Sequence, residues 1–164
     1  MSENLHALNI VLFEPEIPPN TGNLIRLCAN TGMQLHLVEP LGFSMDTKAL
    51  RRAGLDYHES ASVAVHADLE TCLSSLDVPA GQRRVFAVST RGSSAYHRAE
   101  FKLSDILLFG PETRGLPANV LDDERIHSTI RIPMRSDSRS LNLSNAVAII
   151  AFEALRQLDF PQLA

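Results

Sequence analysis

Four short runs of this chain are apolar without the regular polar alternation of a strand that has one wet face. They are LNIVLF at 8–13, QLHLV at 34–38, VFAVS at 85–89 and ILLF at 106–109. Strands of this kind must be covered on both faces, which is the situation in a parallel sheet. Weaker strand patterns stand at 62–65 and 126–132. Helical patterns lie between them. One covers residues 20–31 and is closed by Gly32, and a short one begins at Asp46 and closes at Gly54. Asp68 can cap a third, reaching about Leu76. A fourth begins near Asn142, with Leu143, Val147, Ile150, Ala154, Leu155 and Leu158 at helical spacing. Strands interleaved with helices predict an α/β fold, a mostly parallel sheet with helices on both faces. Residues 79–81 read as a loop, and 90–103 (TRGSSAYHRAEFKL) as polar and irregular. No repeat, linker or low-complexity tract divides the chain, so residues 1–164 are expected to form one domain.

Composition removes several function classes. Apolar residues make up 45% and charged residues 21%, as in a soluble globular protein. No apolar run reaches the roughly 18 residues of a membrane span, and MSENLHALN does not resemble a signal peptide. Cys28 and Cys72 sit in helical patterns and read as core residues of a reduced, cytoplasmic protein. Six His are scattered without HxxxH or CxxC spacing. No metal is therefore expected, and His36 and His58 read as structural. A net charge of −4 argues against coating nucleic acid by a bulk positive field. Thirteen Arg against two Lys nevertheless favour bidentate phosphate contacts. Arg51-Arg52 and Arg83-Arg84 read as solvated faces, and Tyr57 and Tyr96 as rim residues.

In a sheet of this type ligands bind beyond the carboxyl ends of the strands. Three polar loops stand there. The first, PEIPPNTGNLIR (15–26), is stiffened by prolines and carries Asn20, Asn23 and Arg26. The second, FGPETRGLP (109–117), places Glu112 and Arg114 between Gly110 and Gly115, and Gly110 is expected to leave room for a planar group. The third, IPMRSDSRSLNLSN (132–145), runs into the last helix, whose N-terminal N–H groups lie beside Arg139, Ser140, Asn142 and Ser144. Neither a P-loop nor a GxGxxG fingerprint is present, which disfavours ATP and NAD chemistry. An adenine nucleoside and a nucleic-acid phosphate suit the inventory.

PEIPPNTGNLIR, LLFGPETRGLP and IPMRSDSRSLNLSNA resemble the three signature motifs of the SPOUT superfamily of S-adenosylmethionine-dependent RNA methyltransferases. Within it, the chain resembles the small tRNA 2′-O-methyltransferases that modify the wobble pyrimidine, cytidine or a modified uridine, of leucine tRNAs. The likeness also takes in ANTGMQLHLVEPLGF and KALRRAGLDYHE, the latter tilting Arg51-Arg52 towards RNA. It implies a trefoil knot in the C-terminal part of the sheet, a homodimer with the last helix at its interface through the apolar face from Val147 to Leu158, and S-adenosylmethionine as cofactor. Carried over by position, Val88, Gly110, Ile132, Ser140 and Leu141 would bind the cofactor. Asn20, Arg26, Glu112, Ser140 and Asn142 would serve catalysis or substrate placement. The same chemistry on another tRNA position or on rRNA is one alternative. A nucleoside- or RNA-binding module without catalysis is another, and a generic flavodoxin-like domain a third.

Overall fold

The computed structural model describes residues 6–52, 54–55 and 62–164. Tyr57, His58 and the part of KALRRAGLDYHE from Asp56 onward lie outside the described residues. Among the described residues, seven strands form one sheet: β1 (Leu8–Phe13), β2 (Gln34–Val38), β3 (Val63–His66), β4 (Val85–Val88), β5 (Ser94–Ala95), β6 (Asp105–Phe109) and β7 (Ile126–Arg131). Their order is β3-β2-β1-β6-β4-β7-β5, and each pairing is parallel. The helices are α1 (Pro18–Thr31), α2 (Thr47–Arg52), α3 (Leu69–Ser75), α4 (Ala118–Leu121) and α5 (Leu143–Gln157).

The expected start and stop signals operate as read. Gly32 ends α1 in the left-handed conformation at φ 76°. Asp46 accepts from Ala49 N–H at 2.7 Å, and Asp68 from Thr71 N–H at 2.7 Å. Asn142 caps α5 through Ser144 N–H at 2.9 Å. One strand and one α-helix among the described residues escape the sequence pattern, as do the short 3₁₀ turns Ala80–Gln82 and Tyr96–Arg98. Within 90–103, which reads as irregular, β5 forms because Ser94 and Ala95 pair with Ile130 and Arg131. Two residues are too few to show a period. Helix α4 is one turn long and equally silent.

Alternation across the strands builds two cores. Leu8, Ile10 and Leu12 pack with Leu24, Ile25 and Cys28 of α1 and with Val147, Ile150 and Leu155 of α5. Val11, Ile106 and Leu108 face the other way, onto Leu69, Cys72 and Leu73 of α3 and Val120 of α4. Helices thus cover both faces. Burial pushes the Cys28 and Cys72 thiols up to about 12. One expectation is corrected here. The apolar face of α5 is fully buried within this chain, at 0% exposure for Val147, Ile150, Ala154 and Leu155. It cannot also serve as an interface; the free apolar residues of α5 are Ile149 and Phe152.

Arg84 is also corrected, since it is not a solvated residue. Its guanidinium binds both oxygens of buried Asp105, at 3.0 and 2.8 Å, and lies 5.0 Å from the Phe86 ring centre. Arg84→Ala would leave a buried carboxylate with its cation gone. A fully buried pair broken this way costs about 3–5 kcal/mol; partial exposure of Arg84 brings the expected loss to about 2–3 kcal/mol. Urea unfolding measures it, and a loss under about 0.5 kcal/mol would refute the account.

The connection from β4 to β5 determines the shape of the functional end. Strand β7 lies between β4 and β5, so residues 89–93 must pass around it. Ser89 N–H donates to Ile130 O at 3.0 Å and Ser93 N–H to Thr129 O at 3.1 Å. The fit is tight, because a Cβ on Gly92 would stand 2.4 Å from the carbonyl carbon of Ile130.

Candidate active site

A cavity of about 910 Å³ opens beyond the carboxyl ends of β4, β6 and β7. Val88 ends β4, Gly110 follows β6 and Ile132 follows β7, and all three line it with Ser140 and Leu141. The five residues expected to hold a cofactor are therefore brought to one place. Asn20, Glu112 and Asn142 line the same cavity. Arg26 does not. It is exposed on α1 and donates from Nη2 to Gly54 O at 2.7 Å. Six residues of helix place it about 9 Å along the axis from Asn20 and a third of a turn away.

The first two loops are fastened by a reciprocal pair of carboxylates. Helix α1 begins with Pro18 and Pro19, which have no N–H to offer, so the donors needing partners lie just before it. Glu112 meets them from the second loop, accepting from Glu16 N–H at 2.7 Å and Ile17 N–H at 2.9 Å. Glu16 returns the contact, accepting from Thr113 N–H at 2.9 Å and Thr113 Oγ1 at 2.8 Å. These bonds, together with Arg114, hold the Glu16 carboxyl below the usual carboxylate range. Arg114 also binds Glu14 at 3.1 Å, so it spans the two loops.

The third loop joins through two amides. Asn20, only 4% exposed, donates from Nδ2 to Glu112 at 3.2 Å. Its Oδ1 accepts from Asn142 Nδ2 at 2.9 Å. The Oδ1 of Asn142 then accepts from Ser144 N–H and Ser144 Oγ, at 2.9 and 2.6 Å. A single polar line therefore runs from the start of α1 through Glu112, Asn20 and Asn142 to the start of α5. Each amide can face only one way within it, which fixes the cavity floor. Ser140, Leu141 and Met134 stay exposed along the open side.

Gly110 has a different role from the expected one. A Cβ there would lie 2.3 Å from Leu116 N and 2.4 Å from Gly115 C. The space it leaves is filled by the returning backbone of its own loop, with Gly115 at φ 67° making the turn. Sequence reasoning missed Glu16 and Thr113. It also missed Ser89, Thr90 and Arg91, which complete the cavity wall after β4. The available signal was position: residues 89–91 follow a buried strand, as the three chosen loops do.

The SpoU rRNA Methylase family matches residues 7–152. A tRNA (cytidine(34)-2′-O)-methyltransferase from Yersinia pestis is 59% identical over 155 residues, covering 94% of this chain and 96% of the relative. A structure described as giving insights into the 2-OH methylation of C/U34 on tRNA is 46% identical with a TM-score of 0.83, covering 94% of this chain and 97% of the other. AviRb from Streptomyces viridochromogenes, solved with AdoMet, shares the fold at 24% identity and a TM-score of 0.73, over 94% of this chain and 59% of that one. With that match over nearly all its length, and with strand ends and loops converging on one cavity, the chain belongs to the SpoU methylase family.

Proposed function

We propose that this protein transfers a methyl group from S-adenosylmethionine to the ribose 2′-hydroxyl of the wobble pyrimidine, cytidine or a modified uridine, in leucine tRNAs. The observation that carries the reading is the convergence of Val88, Gly110, Ile132, Ser140 and Leu141 on one cavity, beside Asn20, Glu112 and Asn142. The relatives' activity on position 34 of tRNA points the same way.

The residues present fit the cofactor. The cavity is within the roughly 300–1,000 Å³ typical of small-molecule sites. Val88, Leu116 and Ile132 give it apolar walls that would take a flat base, and main-chain groups of the loops after the strands would bind its polar edges. When bound, S-adenosylmethionine supplies a methyl group on a sulfonium and leaves as a neutral thioether, so no departing anion needs a counter-charge. The work left to the protein is alignment, which can supply about 7–11 kcal/mol of barrier lowering. Glu112, Asn20 and Asn142 hold the three loops in register around the reacting atoms. Ser140, on the open side, is placed to hydrogen-bond the entering ribose. Arg26, permanently charged and outside the cavity wall, would grip the phosphate flanking that ribose, and it could polarise the hydroxyl only by swinging from Gly54 O towards the cavity.

The same reading includes a trefoil knot, a homodimer and a cytoplasmic location, with one domain carrying both cofactor and RNA sites. The passage of residues 89–93 around β7 supports the knot, an arrangement most folds avoid. Exposed Ile149, Phe152 and Phe160, with the two Phe rings 6.4 Å apart, support an apolar contact between copies.

Transfer of labelled methyl to total tRNA, with the product nucleotide mapped, tests the proposal. Label at position 34 of leucine tRNAs is expected; label elsewhere or none overturns it. In the same assay Arg26→Lys is expected to lower turnover about tenfold or more, because a point charge replaces a bidentate fork. Near-normal turnover with unchanged tRNA affinity would remove Arg26 from this role.

A further inference from the structure

We infer that His36, His66 and Cys72 form a binding site for a zinc-like transition-metal ion, on the side of the sheet covered by α3. The sequence gives no hint of it, because the ligands are 30 and 6 residues apart and come from β2, β3 and α3. Their donor atoms nevertheless all lie within 4.8 Å of one another, the group of this kind found among the described residues. Parallel pairing of β2 with β3, Val38 opposite His66, sets the two imidazoles on one face. Helix α3 lays Cys72 over that face, in the core that also holds Val38.

The orientation of the first ligand is set by its neighbours. Asn9 donates from Nδ2 to Ser104 O at 3.3 Å, which turns its Oδ1 towards His36 Nε2, also at 3.3 Å. Nε2 of His36 therefore carries the hydrogen, and Nδ1 presents its lone pair. A hydrogen bond that fixes the tautomer and orientation of the imidazole is the usual support behind a metal-ligating histidine, and here the acceptor is a side-chain amide oxygen. Nδ1 of His36 and Nε2 of His66 face each other at 3.0 Å. That is a few tenths of an ångström shorter than two nitrogens bound to one tetrahedral ion at about 2.0–2.1 Å each. Without metal, one hydrogen bond bridges them; an ion would replace it by spreading the rings slightly.

Two imidazoles and a sulfur are the donor set for zinc, cobalt or copper, and unsuited to magnesium or calcium. Binding displaces one proton, from Cys72 Sγ to solvent, while both imidazoles coordinate as neutral ligands. His66 is only partly buried and gives the ion its way in. Three protein ligands leave one position for water. None of the three lines the methyltransferase cavity, so the ion would fasten the edge strand β3 and the short α3 to β2 rather than act in catalysis.

Cobalt(II) chloride titrated into the full chain tests this. One equivalent is expected to bind with a thiolate-to-cobalt charge-transfer band, which excess zinc chloride removes. Cys72→Ser is expected to lose that band while keeping methyl transfer, its metal-free thermal midpoint lowered only by the cost of a hydroxyl in the core. His66→Gln is expected to weaken cobalt binding about tenfold or more. No thiolate band in the wild-type chain, or one that survives in Cys72→Ser, overturns the inference.

Discussion

Glu112→Gln is expected to lower methyl transfer to tRNA by about 10²-fold, with a loss of stability of about 1–3 kcal/mol. The carboxylate accepts three hydrogen bonds, from Glu16 N–H, Ile17 N–H and Asn20 Nδ2. A glutamine keeps one oxygen and turns an NH₂ group towards donors. At least one main-chain N–H then loses its acceptor: Glu16 N–H if the amide nitrogen takes the Oε1 place, or Ile17 N–H together with the orienting contact of Asn20 if it takes the Oε2 place. Misplacement by about an ångström is enough for a hundredfold loss where catalysis rests on alignment. Single-turnover transfer isolates this effect from product release, and urea unfolding gives the stability change. Turnover within about twofold of wild type would show that the polar line is structural only. The partner clasp at Glu16 adds a pH dependence. Its pKa is lowered on folding, so its contribution is present above the ordinary carboxylate range and fades as pH falls through the lowered value.

Gly110→Ala is expected to abolish cofactor binding at micromolar concentrations and to destabilise the fold by about 1–3 kcal/mol. The added methyl would stand 2.3 and 2.4 Å from main-chain atoms of Leu116 and Gly115, which cannot yield as a flexible side chain could. The loop must move, carrying with it Glu112, which begins two residues later. Gly81→Ala is the control, since nothing lies within 4 Å of its Cβ position. Calorimetric titration with S-adenosylmethionine reads the first effect and the thermal midpoint the second. Wild-type affinity in Gly110→Ala would mean that the loop can open without disturbing the site.

By itself the sequence determined the elements whose signals are local. The apolar runs at β1, β2, β4 and β6 lack a wet face, and the Asp68 and Asn142 caps and the Gly32 stop act within a few residues. The three loops were legible for the same reason, because each follows a strand in the chain. Only the tertiary structure decided what depends on partners distant in sequence. Glu112 and Asn20 are 92 residues apart, and Asn20 and Asn142 are 122 apart. No short-range periodicity encodes such pairs, or the strand order that creates them. The order sends residues 89–93 around β7 and turns the apolar face of α5 into the core, while six residues of helix after Asn20 leave Arg26 outside the cavity. It also brings His36, His66 and Cys72 together, where spacing along the chain argued against any metal. Local pattern sets which segments are strands and helices; side-chain chemistry at a distance is set by which strands become neighbours.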